Sequence, residues 1–142
     1  MRALLDVNVL IALLDADHSS HAQATQWFAA HARIGWASCP ITQNGCVRIM
    51  THPGYPNAVP VSAIIERLAE ATASRFHEFW PDDVTLLDSQ LADPTRIHGP
   101  RQVTDVYLLA LAVRHGGRLV TFNASISRDA AIGANQGHVL AL

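Results

Sequence analysis

No lysine occurs anywhere in the 142-residue chain; all ten basic residues are arginine. That absence excludes Schiff-base chemistry, which needs a side-chain amine, and the phosphate-cradling loop that ends in Lys-Ser/Thr. It also counts against a receiver-type domain, which expects a lysine beside its phosphoacceptor. Glutamate is scarce, with three against nine aspartates. Two cysteines, Cys39 and Cys46, are too few for a disulfide framework, and a reduced cytoplasmic protein is the simpler expectation. Long apolar runs are missing as well. The N-terminal stretch is interrupted by Asp6 and Asn8 and ended by Asp15 and Asp17, well short of the roughly 20 residues of a membrane span. Neither a signal peptide nor a membrane helix is expected. A net charge of −2 gives no basic footprint for nonspecific nucleic-acid binding, so charge alone argues against a nucleic-acid protein.

What is present is a core-forming composition, 49% hydrophobic and 15% charged, with no linker, repeat or low-complexity tract. One domain over residues 1–142 is expected. Short apolar strands at 2–5, 35–39, 76–80, 118–122 and 138–142 alternate with helical patterns at 7–14, 20–33, 41–51 and 62–73. Ser62 is the expected cap of the last of these, with Val61, Ile64, Ile65 and Leu68 facing inward. Thr104 is the expected cap of a further helix from Asp105 to about His115, apolar nearly all round and therefore buried. Residues 84–98 give no clear pattern. Strands alternating with helices predict an α/β fold, a parallel sheet with helices on both faces.

In such a sheet, ligands bind outside the carboxyl ends of the strands. Asp6 ends the first strand, Asn123 follows the strand closing at Phe122, and Asp105 opens a helix. Two carboxylates brought close repel unless a cation lies between them. Mg²⁺ is the default, being hard and content with one or two carboxylates plus waters and substrate phosphate. Helix capping is the plainer reading of both acids.

Four segments together resemble a family: Leu4-Leu5-Asp6-Val7-Asn8-Val9-Leu10-Ile11-Ala12, Pro40-Ile41-Thr42-Gln43-Asn44-Gly45-Cys46-Val47-Arg48-Ile49, Val103-Thr104-Asp105-Val106-Tyr107-Leu108-Leu109-Ala110-Leu111-Ala112 and Gly117-Arg118-Leu119-Val120-Thr121-Phe122-Asn123. Their order and spacing are similar to the four motifs of PIN-domain ribonucleases, and more narrowly to VapC, the toxin of VapBC toxin–antitoxin pairs. The His77-to-Asp83 segment resembles one VapC subgroup. The resemblance implies a PIN-like three-layer α/β/α sandwich with a central, mainly parallel sheet. It implies Mg²⁺- or Mn²⁺-dependent endoribonuclease activity on RNA, a cognate VapB-like antitoxin, a homodimer and no membrane. The family's four acidic positions fall on Asp6, Gln43, Asp105 and Asn123, so Asp6 and Asp105 are the expected metal ligands and two positions are amides. An amide oxygen can ligate weakly or orient a water but carries no charge and is no base at neutral pH. A module that binds RNA or antitoxin with weakened chemistry is therefore the alternative reading.

Three further residues have expected substrate contacts. Asn8 fits a small polar position near Asp6, or else bonds its own backbone. Arg48, five residues after Gln43, and Arg101, with Arg96 and His98 ahead of Asp105, could grip phosphates or form solvated ion pairs. Asp129 is a weak candidate to replace Asn123. His18 and His21 lack a third ligand for zinc, and Trp27, Trp36 and Trp80 read as core or interface rather than base-stacking platforms. A phosphatase of the haloacid-dehalogenase type is disfavoured, since it wants an acid where Asn8 stands and a later lysine.

Overall fold

Side chains alternate across a strand, and the first strand divides its residues accordingly. In β1 (Ala3–Leu5), Leu4 joins one apolar layer while Ala3 and Leu5 join the other. Strand β4 (Arg118–Thr121) repeats the pattern, with Leu119 on the Leu4 side and Val120 on the Leu5 side. Strands of this kind are buried on both faces, as a parallel sheet requires. The computed structural model describes residues 1–142. Its sheet has the order β3-β2-β1-β4-β5, where β2 is Trp36–Ser38, β3 is His77–Phe79 and β5 is Val139–Ala141, and every neighbouring pair is parallel.

Helices α1 (Val7–Leu14), α3 (Pro40–Met50) and α4 (Val61–Thr72) cover one face through Val9, Leu10, Cys46, Met50, Ile64 and Leu68, and α2 (His21–His31) packs against α1. Helix α5 (Pro100–Arg114) covers the other face through Leu108, Leu109 and Leu111. The result is the expected α/β/α sandwich. From β1 the chain winds outward to β2 and β3 over one face, then returns through α5 on the opposite face to β4 and β5. The direction of winding therefore reverses between β1 and β4. No helix is long and apolar enough to cross a membrane.

Three local expectations are corrected. Helix α5 begins at Pro100, not Asp105, and Thr104 lies inside it. Proline at the first helical position has a suitable fixed φ and no N–H to leave unpaired, and Gly99 before it takes φ 138°. Helix α4 begins at Val61 after Pro60, so Ser62 forms no cap, and Val61 and Ile65 are half exposed rather than inward. They line a groove of about 550 Å³ between α3 and α4 with Gln43, Val47 and Arg48. Residues 84–98 form turns and a short 3₁₀ segment, Pro94–Arg96, tied by a bridge between Ala92 and Ala131. Trp36 and Trp80 are core residues, 3% and 1% exposed.

The turn between α5 and β4 brings Gly117 against the N-terminal residues. A Cβ there would lie 2.5 Å from the Arg2 carbonyl oxygen and 2.7 Å from Cη2 of Trp80. Neither a backbone oxygen nor a fully buried ring can move aside cheaply. Gly117→Ala is expected to cost about 1–3 kcal/mol, lowering the thermal midpoint by about 3–10 °C; an unchanged midpoint would contradict this packing.

Candidate active site

The reversal of winding leaves a crevice outside the carboxyl ends of β1 and β4, the place where open α/β sheets bind ligands. Asp6 leaves β1 there and caps α1. It is 6% exposed, and its Oδ1 accepts from the Val7 N–H at 2.7 Å. Its Oδ2 accepts from the Thr121 hydroxyl at 2.6 Å. Thr121, fully buried at the end of β4, has one proton to give. Its oxygen already accepts from the Asn123 N–H at 3.0 Å and from Asn8 Nδ2 at 3.4 Å, so the proton goes to Asp6. Asn8 also accepts the Phe122 N–H at 3.3 Å, which joins the first turn of α1 to the end of β4.

Asp105 reaches the same crevice from α5, whose first turns overhang the carboxyl edge of the sheet. Asn123 Nδ2 donates to its Oδ2 at 2.7 Å. Burial raises the Asp6 carboxyl above the usual carboxylate range; the bonds from Thr121 and Val7 oppose this, and the nearby Asp105 charge adds to it. Burial likewise raises Asp105, opposed by its bond from Asn123. No arginine or histidine forms an ion pair with either acid. A buried and a half-buried carboxyl thus lie near one another, held by neutral donors only. Their donor set suits a hard divalent cation with open positions: two carboxylates, with water and phosphate completing the shell. No group of three or more His, Cys, Asp or Glu side chains gathers as a metal cluster.

The structure brings together Asp6, Asn8, Asp105 and Asn123. Gln43 makes no hydrogen bond within this network: its Nε2 donates to the buried Ser38 hydroxyl at 2.9 Å, and that oxygen lies 2.7 Å from His77 Nε2. The α3 residue that meets the start of α1 is Gly45, where a Cβ would come within 2.8 Å of Val7 Cγ2. Glycine inside a helix costs about 1 kcal/mol, and that cost was the sequence signal for a close approach at this point. Arg48 is exposed on the α3–α4 groove, and Arg101 is exposed in the first turn of α5. Asp129 pairs with Arg96 at 2.8 Å on the surface, outside the site. His18 and His21 spend their Nδ1 atoms on Ser20 N and Ala12 O. Sequence reasoning missed Thr121, Ser125 and Gln102, whose roles rest on partners distant in the chain or in a loop.

Folded Asp105 holds its proton more tightly than the unfolded chain does. Its charged form therefore costs stability above the raised pKa, and the cost fades as pH falls through that pKa. Asp105→Asn keeps the shape and an acceptor for Asn123. It is expected to raise the metal-free thermal midpoint at pH 7 by no more than about 3 °C, because solvent reaches the half-buried carboxyl and screens its charge. The gain should shrink toward pH 4; a midpoint at pH 7 equal to or below that of the parent would contradict the electrostatic account.

The model of the PIN domain family matches residues 3–131. Ribonuclease VapC44 of Mycobacterium tuberculosis (strain ATCC 25618 / H37Rv) is 54% identical over 142 residues, covering all of both chains. Ribonuclease VapC39 of the same strain is 46% identical over 134 residues, 94% of this chain and 96% of that protein. Ribonuclease VapC38 is 46% identical over 125 residues, 87% and 86% of the two chains. With the motif order, the sandwich and the paired acids already in place, this chain belongs to the PIN-domain family and, within it, to the VapC ribonucleases.

Proposed function

We propose that the protein is a metal-dependent endoribonuclease, the toxin of a VapBC-like pair, that hydrolyses RNA phosphodiester bonds at the Asp6–Asp105 crevice. The observation that carries this reading is the pairing of two carboxylates at the point where the winding reverses, with no protein cation between them. Asp6 and Asp105 would hold one Mg²⁺ or Mn²⁺. Such a cation offsets phosphate charge and lowers the pKa of a bound water. Two carboxylates suffice for such an ion when water and substrate phosphate complete its shell, so amides at positions 43 and 123 are compatible with the reading.

The chain's own residues have separate tasks in it. Thr121 and the Val7 N–H orient Asp6 and favour its charged form. Asn8 ties α1 to β4 and keeps Thr121 in register. Arg101, exposed on the first turn of α5, contacts substrate phosphate, and Arg48 serves a more distant part of the strand along the α3–α4 groove. In a chain without lysine, arginine is the only permanently charged cation available for RNA. The protein acts in the cytoplasm as a homodimer neutralised by a VapB-like antitoxin. These assignments rest on its likeness to the VapC ribonucleases.

Purified protein incubated with total RNA and Mg²⁺ or Mn²⁺ is expected to cleave it, and EDTA is expected to stop the reaction. Asp6→Ala and Asp105→Ala should each lower the cleavage rate by at least about 10²-fold, the scale on which loss of a catalytic group acts. Equal cleavage by the parent and both variants under every metal condition would overturn the assignment of chemistry to this site.

A further inference from the structure

The Asn123 carboxamide has one fixed orientation. Its Oδ1 accepts two bonds from Ser125, from the backbone N–H at 3.0 Å and from the hydroxyl at 2.7 Å. A backbone N–H only donates, so the atom facing it is the oxygen, and the amide nitrogen must face Asp105. Asn123 therefore presents a donor to the acid rather than an oxygen to a cation, and it holds Asp105 Oδ2 at 2.7 Å. No other protein donor bonds Asp105, so its Oδ1 has no protein partner.

The loop that sets this orientation is itself gripped from α5. Gln102 Nε2 donates to the Ser125 carbonyl at 3.0 Å, and Gln102 Oε1 accepts the Ser127 N–H at 3.2 Å. The glutamine thus pairs with the backbone on both sides of Ile126 as a neighbouring strand would, while Ile126 itself is 9% exposed in the α5-side core. Gln102 and Asp105 are three residues apart on one helix and share a face. The hydrogen bonds form a closed circuit, running from Gln102 to the 125–127 loop, to Asn123, and back to Asp105.

We propose that Gln102 and Ser125 are positioning residues of the nuclease site: they lock Asn123 as a hydrogen-bond donor that aims Asp105 at the cation. This rests on the nuclease reading above. It assigns the amide at position 123 a definite task, orienting its neighbour in place of ligating metal. Partners that orient metal ligands from outside the coordination shell typically change metal affinity by 10- to 100-fold when lost.

Two readouts test the circuit on the full chain. In ¹H–¹⁵N spectra of the metal-free protein, the Asn123 side-chain amide pair should be shifted and protected from exchange. Gln102→Met, which keeps the length of the side chain, should remove that signature; Ser125→Ala, which loses the hydroxyl bond but keeps the backbone N–H, should weaken it; and Ser125→Thr, which keeps the hydroxyl, should retain it. In Mn²⁺ titrations, Gln102→Met and Ser125→Ala should bind about tenfold more weakly, and Ser125→Thr should match the parent. Parent-like amide signals and Mn²⁺ affinity in both Gln102→Met and Ser125→Ala would overturn the proposal. If the parent neither binds Mn²⁺ nor cleaves RNA, the nuclease reading fails, and the metal-free amide spectra still decide whether the circuit exists.

Discussion

The burial of Asp6 beside Asp105, with no positive side chain to offset either acid, is the constraint on which the candidate site depends. Asp6 is drawn out of water and Asp105 partly so, and neither meets a positive side chain. Unpaired charge in such a place is tolerated only when neutral donors hold it or when a cation arrives from outside. The protein supplies the donors: Val7 N–H and Thr121 for Asp6, and Asn123 for Asp105. They keep the acids in place but do not cancel their charge. On the reading proposed above, a divalent cation supplies the charge that these donors do not, and without it the acids hold back some stability that an inert packing would have had.

The fold delivers the acids through its topology. Because the chain winds outward from β1 and returns over the opposite face to β4, two adjacent parallel strands end with no connection crossing between them. Asp6 follows one strand and Asn123 the other. Helix α5 carries Asp105 over the same edge. Apolar alternation in β1 and β4 anchors both strands from two sides, so the carboxyl edge stays rigid while polar groups crowd it. Thr121 belongs to both systems. It is the last residue of a core strand and the hub of the polar network.

Much of this was legible in the sequence. The bounds of β1 and α1 follow from an apolar run punctuated by Asp6, and the strand–helix alternation predicts the parallel sheet. The positions of Asp6 and Asn123 just beyond strand ends follow from the same pattern, whereas Asp105, expected to open a helix, lies past the first turn of α5. What was not legible depends on partners far along the chain. The Thr121–Asp6 bond spans 115 residues and the Gln102 clamp spans 23 to 25, distances at which periodicity carries no information. Helix α5 gains a turn because Pro100 starts a helix before the apolar pattern begins. Val61 and Ile65 look like core by spacing, yet α4 turns them toward a groove. In α3, the close approach of Gly45 to Val7 of α1 is a packing detail that the apolar periodicity does not carry.

The central claim is that Asp6 and Asp105 together hold one divalent cation. Anomalous scattering from crystals soaked in Mn²⁺ tests it most directly. A single strong peak bridged by carboxylate oxygens of Asp6 and Asp105, with water on its remaining sides, is the predicted result. A Mn²⁺ peak bound by other residues, or an empty crevice at saturating Mn²⁺, would contradict it.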